Sequence, residues 1–324
     1  MTVLDSGRFK AGPLALGLAG PGPDTLTLKD EALIALWLRV GIGLVFLIGG
    51  WWKLSRALDP ARAEALVSRY TAPDGYINAF FQDYLFAGGW ITPWSFLTAL
   101  SALELVAGIV LIAGVFVRPM AILFGLMLWS FVAALPVMTT PGLAAEDKTF
   151  LTPALIVQIR DVGLSGLCFV LAALGSGAWS VDHAAFGRGQ VASRPNWPAI
   201  GLVLRLSVAA VFITGGFFYG LDHVKSWSSL PVLMIAIGLV MASGHGVRLT
   251  ALAALGVLIV YCVTAMSADK TLWGNLNAVK REAAFIAAAA VLLRYSGGPA
   301  FRVGQFFAAP VEALFGAPAK SPQS

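Results

Sequence analysis

The stretch LRVGIGLVFLIGGWWKL, residues 38–54, is almost wholly apolar, yet Arg39 stands near its start and Lys53 near its end. A second stretch, LRLSVAAVFITGGFFYGL, covers residues 204–221 and again places Gly-Gly ten residues after an arginine that follows leucine. An apolar run of this length is typical of a helix that crosses a bilayer core of about 30 Å. The repetition predicts that one chain contains two related membrane units.

The composition also indicates an integral membrane protein. Of the 324 residues, 58% are hydrophobic and only 12% are charged, whereas soluble domains carry about 25% charged residues. This polar surface is too small to coat a water-soluble protein, so the lipid bilayer is part of the solvent. The apolar runs lack the period-two alternation of barrel strands, which predicts helices. The scattered Lys and Arg residues argue against nucleic-acid binding.

The apolar runs predict about eight transmembrane helices in two sets of four. The predicted helices lie at about 33–54, 93–116, 119–138, 154–174, 199–221, 229–243, 248–266 and 280–295. They divide the chain into a tail (1–32), a first four-helix unit (33–183), a linker (184–198), a second four-helix unit (199–296) and a second tail (297–324).

The polar stretch after the first predicted helix, from about residue 55 to about residue 92, has amphipathic spacing and many aromatic residues. We expect it to lie on the membrane surface, where aromatic rings are enriched. Its rings include Tyr70, Tyr76, Phe80, Phe81 and Tyr84.

Charged residues recur at corresponding places in the two units. The recurring features are the ten-residue spacings Gly108–Arg118 and Gly238–Arg248, and the adjacent pairs Arg160-Asp161 and Arg281-Glu282. Because each unit holds an even number of helices, both units cross the membrane in the same sense, as parallel repeats. The predicted fold is therefore all-α, with two tandem parallel four-helix bundles.

Two ionisable side chains fall inside predicted spans of the first unit, where a charge costs about 2.5–3.5 kcal/mol. Arg39 lies near the inner end of the first helix, and Glu104 lies near the middle of the second. A rise of 1.5 Å per residue separates their depths by about 9 Å, which an arginine side chain can span. We therefore predict an intramembrane Arg39–Glu104 pair. The alternative is that Arg39 extends to the interface and Glu104 binds a neighbouring helix.

The second unit carries Met234 where the first carries Glu104. Arg205, the counterpart of Arg39, therefore has no acidic partner on the next helix, and we expect it to extend to the interface. The first unit is the better candidate for function.

Aromatic and charged side chains gather at the outer end of the first unit. This candidate site for a substrate or a quinone consists of Trp51, Trp52, Lys53, Arg160 and Asp161. Cations flanked by aromatic rings suit an anion or a quinone head group. The alternatives are an aromatic belt with an interfacial lysine, and local ion pairs at helix starts.

The sequence contains no recognisable motif for a bound metal, haem, flavin, iron–sulfur cluster or nucleotide. If the protein takes part in redox chemistry, we expect the electron carrier to be a diffusible quinone or to lie on a partner protein.

Three segments resemble the DoxX/DoxD family of membrane proteins. They are LRVGIGLVFLIGGWWKL (38–54), ELVAGIVLIAGVFVRPMA (104–121) and IRDVGLSGLCFVLAALGSGAWSVD (159–182). Family members carry a helix of the type R-x-x-x-G-x-x-F-x-x-x-G-x-x-K-L and a Ser-x-Asp ending, which Ser180 and Asp182 match. The second unit resembles a degenerate DoxX unit, in which Tyr219 stands at the position of Lys53.

The long aromatic segment after the first helix and the stretch LPVMTTPG (135–142) resemble DoxD, the small subunit of thiosulfate:quinone oxidoreductase. The resemblance implies a membrane subunit that passes electrons from thiosulfate to quinone, together with a second, DoxA-like subunit. In this interpretation Glu104 handles the protons of the quinone and Arg39 sets the ionisation of Glu104. The alternatives are a non-catalytic anchor or assembly subunit of another respiratory oxidoreductase, and a small-solute transporter.

The resemblance also implies a location in the cytoplasmic membrane of a prokaryote. Cations in the predicted loops divide evenly between the two sides, and Arg39 and Arg205 favour the side that carries both termini. The positive-inside rule then predicts that both termini are cytoplasmic.

This orientation predicts that Ser6→Cys and Ser321→Cys, each introduced after replacement of Cys168 and Cys262, react with a membrane-impermeant maleimide only in permeabilised cells. Ser68→Cys, in the predicted outer segment, is the matched control and should react in intact cells. Labelling of either terminus in intact cells would reverse the orientation.

Overall fold

A computed structural model of the protein describes residues 26–72, 75–77, 81–134, 153–187, 195–218 and 230–297. Within these ranges the chain forms α-helices and one π-helical turn, and no strand. The helices are α1 (Leu28–Ala57), α2 (Pro60–Thr71), α3 (Pro93–Ala113), α4 (Val117–Ala134), α5 (Pro153–Leu174), α6 (Val181–Phe186), α7 (Trp197–Phe218), α8 (Leu230–Ser243), α9 (Val247–Ala265) and α10 (Leu272–Tyr295), with the π-helical turn at Phe81–Leu85. The predicted all-α class is confirmed.

Five helices of the described chain are long and apolar enough to cross a bilayer. They are α1, α3, α4, α9 and the Trp197–Phe217 part of α7. The protein is therefore a multi-pass membrane protein. The number of eight spans stays a prediction, and so does the orientation of the termini.

The long helix α1 begins five residues earlier than the apolar run predicted, because polar residues cap its start. The Thr27 hydroxyl accepts a hydrogen bond from the Asp30 amide at 3.3 Å, and the Asp30 carboxylate accepts one from the Thr27 amide at 3.0 Å. This reciprocal arrangement satisfies amide groups that have no partner inside the helix. Apolar periodicity alone does not register a charged first turn, so the predicted boundary of 33 was too late.

Glycine residues allow α1 and α3 to approach each other at backbone distance. A Cβ atom at Gly50 would lie 2.8 Å from the Ser101 carbonyl oxygen and would collide with the Leu105 backbone. A Cβ atom at Gly108 would lie 2.6 Å from the Leu47 amide nitrogen. Small residues permit this kind of close contact between membrane helices. The contacts set the register of the α1–α3 pair.

The same contact recurs between α7 and α8. A Cβ atom at Gly216 would lie 2.6 Å from the Pro231 carbonyl oxygen, and one at Gly238 would lie 2.9 Å from the Ala209 carbonyl oxygen. Gly216 and Gly238 occupy the repeat positions of Gly50 and Gly108. The two units therefore share a packing contact as well as a sequence pattern.

The two units interleave in the structure instead of forming self-contained tandem bundles. Helix α10 packs along α1, and α5 packs along α7, so that each unit contributes two helices to a shared centre. One hydrophobic core runs through both units. Helices α3, α4, α8 and α9 lie outside this centre, and they expose large apolar side chains such as Val106, Leu126, Val232 and Val263. In a bilayer these side chains face lipid.

Arg205 does not extend to the interface. Its side chain is 0% exposed, and its aliphatic carbons lie against Gly297, just beyond the end of α10. The prediction was wrong because the chain after α10 covers this part of α7, a contact between residues distant in the sequence.

The glycine contacts predict the effect of adding one methyl group. Gly50→Ala and Gly216→Ala should each destabilise the protein by about 1–3 kcal/mol, because the new Cβ meets backbone that cannot move aside. Gly256→Ala is the matched control, since nothing lies within 4 Å of a Cβ at this position of α9. It should be neutral or slightly stabilising, because alanine favours helix. Thermal unfolding in detergent measures all three, and equal melting temperatures would contradict the packing.

Candidate functional site

A cavity of about 360 Å³ lies among α1, α3, α4, α5, α10 and the segment that joins α2 to α3. Its volume falls within the range of small-molecule pockets, about 300–1,000 Å³. Most of its wall is apolar or aromatic. Its charged and phenolic side chains are Lys53, Tyr70, Tyr76, Glu104, Asp161, Lys280 and Arg281.

The centre of the polar part is an ion pair between α1 and α3. Lys53 Nζ lies 2.6 Å from Glu104 Oε1 and 2.5 Å from Oε2. Both residues are buried, with 8% and 3% of their surface exposed. Gly50, one helical turn before Lys53, packs directly beside this part of α3. The glycine contact therefore brings the ammonium group within reach of the carboxylate.

The predicted Arg39–Glu104 pair is wrong. Arg39 Nη2 donates a hydrogen bond to the Trp179 carbonyl oxygen at 2.5 Å, and the guanidinium group lies against the turn at Gly114. Glu104 is ten residues before Gly114, which is about 15 Å along a helix. The sequence prediction assumed that α1 begins at the membrane depth at which α3 ends. In the structure α1 begins eleven residues before Arg39, and the Arg39 side chain lies level with the end of α3, at Gly114.

Arg39 belongs to a structural cluster at the end of α3, away from the cavity. The Asp182 carboxylate accepts a hydrogen bond from the Phe116 amide at 3.1 Å, and the Asp182 amide donates one to the Gly114 carbonyl oxygen at 3.1 Å. Phe116 has a φ of 47°, a conformation that a bulky residue adopts only when its surroundings hold it. The Ser-x-Asp ending thus fixes the α3–α4 turn, and Arg39 anchors it.

The Arg–acid pairs at the starts of the fourth helices exchange partners between the units. Arg281 Nε lies 3.4 Å from Asp161 Oδ1, and Arg160 Nη2 lies 3.7 Å from Glu282 Oε1. Pairing within each unit was one expectation, and it is wrong. Adjacent residues on a helix point in different directions and do not face each other. Because α5 and α10 pack together, the pair Arg160-Asp161 lies opposite the pair Arg281-Glu282.

The segment after α1 closes one side of the cavity. Tyr76 accepts a hydrogen bond at its hydroxyl oxygen from Arg281 Nη2 at 3.2 Å, and its ring lies 5.9 Å from that of Tyr70. Burial raises the pKa of the Tyr76 hydroxyl, although Arg281 acts in the opposite direction. Tyr76 is therefore a neutral phenol. Of the aromatic residues that the sequence assigned to the membrane surface, Tyr84 is 76% exposed. Phe80 lies outside the described residues.

Of the predicted site residues, Lys53, Glu104 and Asp161 meet in the cavity. Trp51 faces Trp273, with ring centroids 5.7 Å apart, and Trp52 lies under the Arg56 guanidinium group at 3.7 Å. Neither tryptophan lines the cavity. Arg160 lies behind it, 6.0 Å from the Tyr261 ring.

The sequence missed five polar residues of the cavity wall: Tyr70, Tyr76, Ser130, Lys280 and Arg281. The two tyrosines belong to the aromatic stretch that was assigned to the surface. Lys280 and Arg281 stand at the start of the last predicted helix, where the sequence indicated only outer cations and a repeated Arg–acid pair. Only the contact between α1 and α10 places them at a site of the first unit.

Residues 34–137 match the DoxX family model. The matched region contains Lys53, Glu104 and both tyrosines of the cavity. No curated protein and no solved structure matches the chain.

The buried ion pair predicts a coupled effect on stability. Lys53→Met leaves the Glu104 carboxylate without its partner and should cost about 3–5 kcal/mol. The double variant Lys53→Met with Glu104→Met should recover part of this loss, because no unpaired charge remains.

The control is Arg62→Met, which breaks an exposed pair with Asp59 and should cost about 0–1 kcal/mol. Chemical unfolding in detergent measures each free-energy change. A double variant whose loss is the sum of the two single losses would show that the pair contributes no coupling.

Proposed function

Since residues 34–137 form a DoxX domain of a multi-pass membrane protein, we propose that the chain is the membrane subunit of an oxidoreductase and that its cavity binds the head group of a quinone. The observation that carries this proposal is the cavity itself. It combines apolar and aromatic walls with a buried Lys53–Glu104 ion pair. A planar ring with polar oxygens matches both parts of this wall.

The side chains of the cavity wall support a quinone as the ligand. Phe46, Phe96 and Phe131 present ring surface to it, and aromatic faces and edges pack favourably against another ring. Asp161 Oδ2 is buried and has no hydrogen-bond partner among the described residues. A buried polar atom of this kind is expected to meet a ligand or a water molecule.

A quinone supplies an acceptor for two electrons and two protons. We assign Glu104 as the group that holds a proton beside the head group, because its carboxylate lies on the cavity wall. Lys53 takes the place that the sequence gave to Arg39, since its ammonium group contacts both oxygens of the Glu104 carboxylate.

The resemblance to DoxD supports thiosulfate as the electron donor. Two thiosulfate ions form one S–S bond to give tetrathionate and release two electrons, and the quinone takes up these electrons with two protons to give the quinol. We assign the sulfur chemistry to a second, DoxA-like subunit. This assignment agrees with a cavity in which Lys53 and Arg281 are already paired with carboxylates.

The first test is quinone binding by the purified full-length protein in detergent, with decylubiquinone as the probe and tryptophan fluorescence as the signal. Glu104→Gln and Lys53→Met should weaken binding by about tenfold or more, since each removes a charge-assisted interaction. Glu31→Gln and Lys29→Met, at the opposite end of α1, are the matched controls and should bind normally. Equal affinity in all five proteins, or no binding by the wild type, would refute a quinone site in this cavity.

The second test is thiosulfate-dependent quinone reduction in native membranes that contain the full complex. Glu104→Met should abolish this activity, whereas Met234→Glu, at the repeat position of the second unit, should be neutral or harmful. Full activity in the Glu104→Met variant would remove the residue from the reaction. Quinone binding without thiosulfate-dependent reduction would instead assign the chain to another oxidoreductase, as its membrane anchor.

A further inference from the structure

We propose that the second unit completes the cavity of the first by contributing the cation Lys280, and that the site therefore selects a ring-bearing ligand whose head group carries one negative charge. The proposal rests on ligand binding in the cavity to which we assigned the quinone. It adds a second class of ligand, an amphipathic monoanion, that competes with the neutral quinone for the same cavity, and it gives the second unit a function.

The charges on the cavity wall do not cancel. Lys53 is paired with Glu104, and Arg281 is paired with Asp161. Lys280 differs from these two cations, because its Nζ donates a hydrogen bond of 2.7 Å to the neutral amide oxygen of Asn277. Among the described residues Lys280 forms no ion pair with a carboxylate. The wall therefore holds three basic side chains and two carboxylates, which is one basic group more than the carboxylates can pair.

The helix packing directs this amine to the cavity. Lys280 lies on α10 where that helix packs against α1, and a Cβ atom at Gly49 would lie 3.2 Å from its Nζ. Gly49 therefore leaves space for the ammonium group beside the Lys53–Glu104 pair. In the first unit Ile159 occupies the corresponding position, directly before Arg160. The cation is thus particular to the second unit, although the site it serves lies mainly in the first.

A surplus cation in an apolar cavity favours an anionic ligand. Burial disfavours a charged ammonium group, and a negative charge beside it offsets this cost. The large apolar part of the wall excludes a small, fully hydrated anion and fits the ring of an amphipathic molecule. The free Oδ2 atom of Asp161 is an additional acceptor for a hydroxyl group on the same ligand. A carboxylate or phenolate on an aromatic body meets these conditions.

The experiment compares two probes of nearly equal shape, 2-naphthoate and 2-naphthamide, which differ in the charge of the head group. Each is used to displace decylubiquinone from the full-length protein. We expect the anion to compete about tenfold more strongly than the neutral amide, as one charge-assisted hydrogen bond allows. Lys280→Gln should abolish this preference, and Lys280→Arg should retain it.

Two further variants separate a local charge effect from misfolding. Asn277→Asp gives Lys280 an internal carboxylate partner and should reduce the preference for the anion while the protein stays folded. Lys270→Gln removes an exposed cation before α10 that does not line the cavity, and the preference should persist.

The possible results distinguish this proposal from the proposed function. Equal competition by the two probes, or a preference that survives in Lys280→Gln, would overturn the selection of an anion and leave quinone binding intact. If neither probe displaces decylubiquinone, the selection of an anion is likewise overturned and quinone binding stands. If decylubiquinone does not bind to the wild type, the quinone assignment itself is wrong.

Discussion

The close contact between the backbones of α1 and α3 is the constraint on which the site depends. Gly50 and Gly108 exclude any other side chain at their positions, because a Cβ atom would meet backbone of the opposite helix. Such a contact permits one register. That register places the Lys53 ammonium group on the Glu104 carboxylate. It leaves Arg39 beside the turn after Ala113, about 15 Å along α3 from Glu104.

The duplication explains why the two units interleave. Each unit carries an adjacent arginine and acidic residue at the start of its fourth helix. The packing of α5 with α10 brings these two residue pairs into contact. Arg160 then pairs with Glu282, and Arg281 pairs with Asp161. Each arginine thus pairs with the carboxylate of the other unit. The two carboxylates are buried and the two arginines are partly buried, and these charges are tolerable because each faces an opposite charge.

The two units share their helix contacts and differ in their chemistry. The α7–α8 contact uses glycines at the repeat positions of the α1–α3 contact, so the architecture is common to both. Met234 stands where the first unit has Glu104, and it is buried at 3% exposure. The second unit therefore lacks the carboxylate of the ion pair, but through α10 it adds Lys280 and Arg281 to the cavity of the first. One polar cavity is assembled from an unequal contribution of two similar halves.

The sequence alone determined the class of the protein, because length and hydrophobicity of the apolar runs are local properties that a bilayer imposes on any spanning helix. It also indicated the internal repeat, the resemblance to DoxX, and three residues of the cavity: Lys53, Glu104 and Asp161. The partner of Glu104 was mistaken because the depth count assumed that α1 begins where α3 ends. In the structure α1 extends beyond the glycine turn at Gly114 that ends α3, so that Arg39 lies beside this turn.

The tertiary structure alone decided the interleaving of the units, the exchange of ion pairs, the burial of Arg205, and the arrival of Lys280 and Arg281 at a site more than 200 positions away from Lys53. No local pattern carries this information, because the periodicity of a helix tells which face is apolar but not which other helix covers it. Contacts such as those at Gly49 and Gly50 determine which helix packs on that face, because the missing side chain leaves room for Lys280 of α10 and for the backbone of α3.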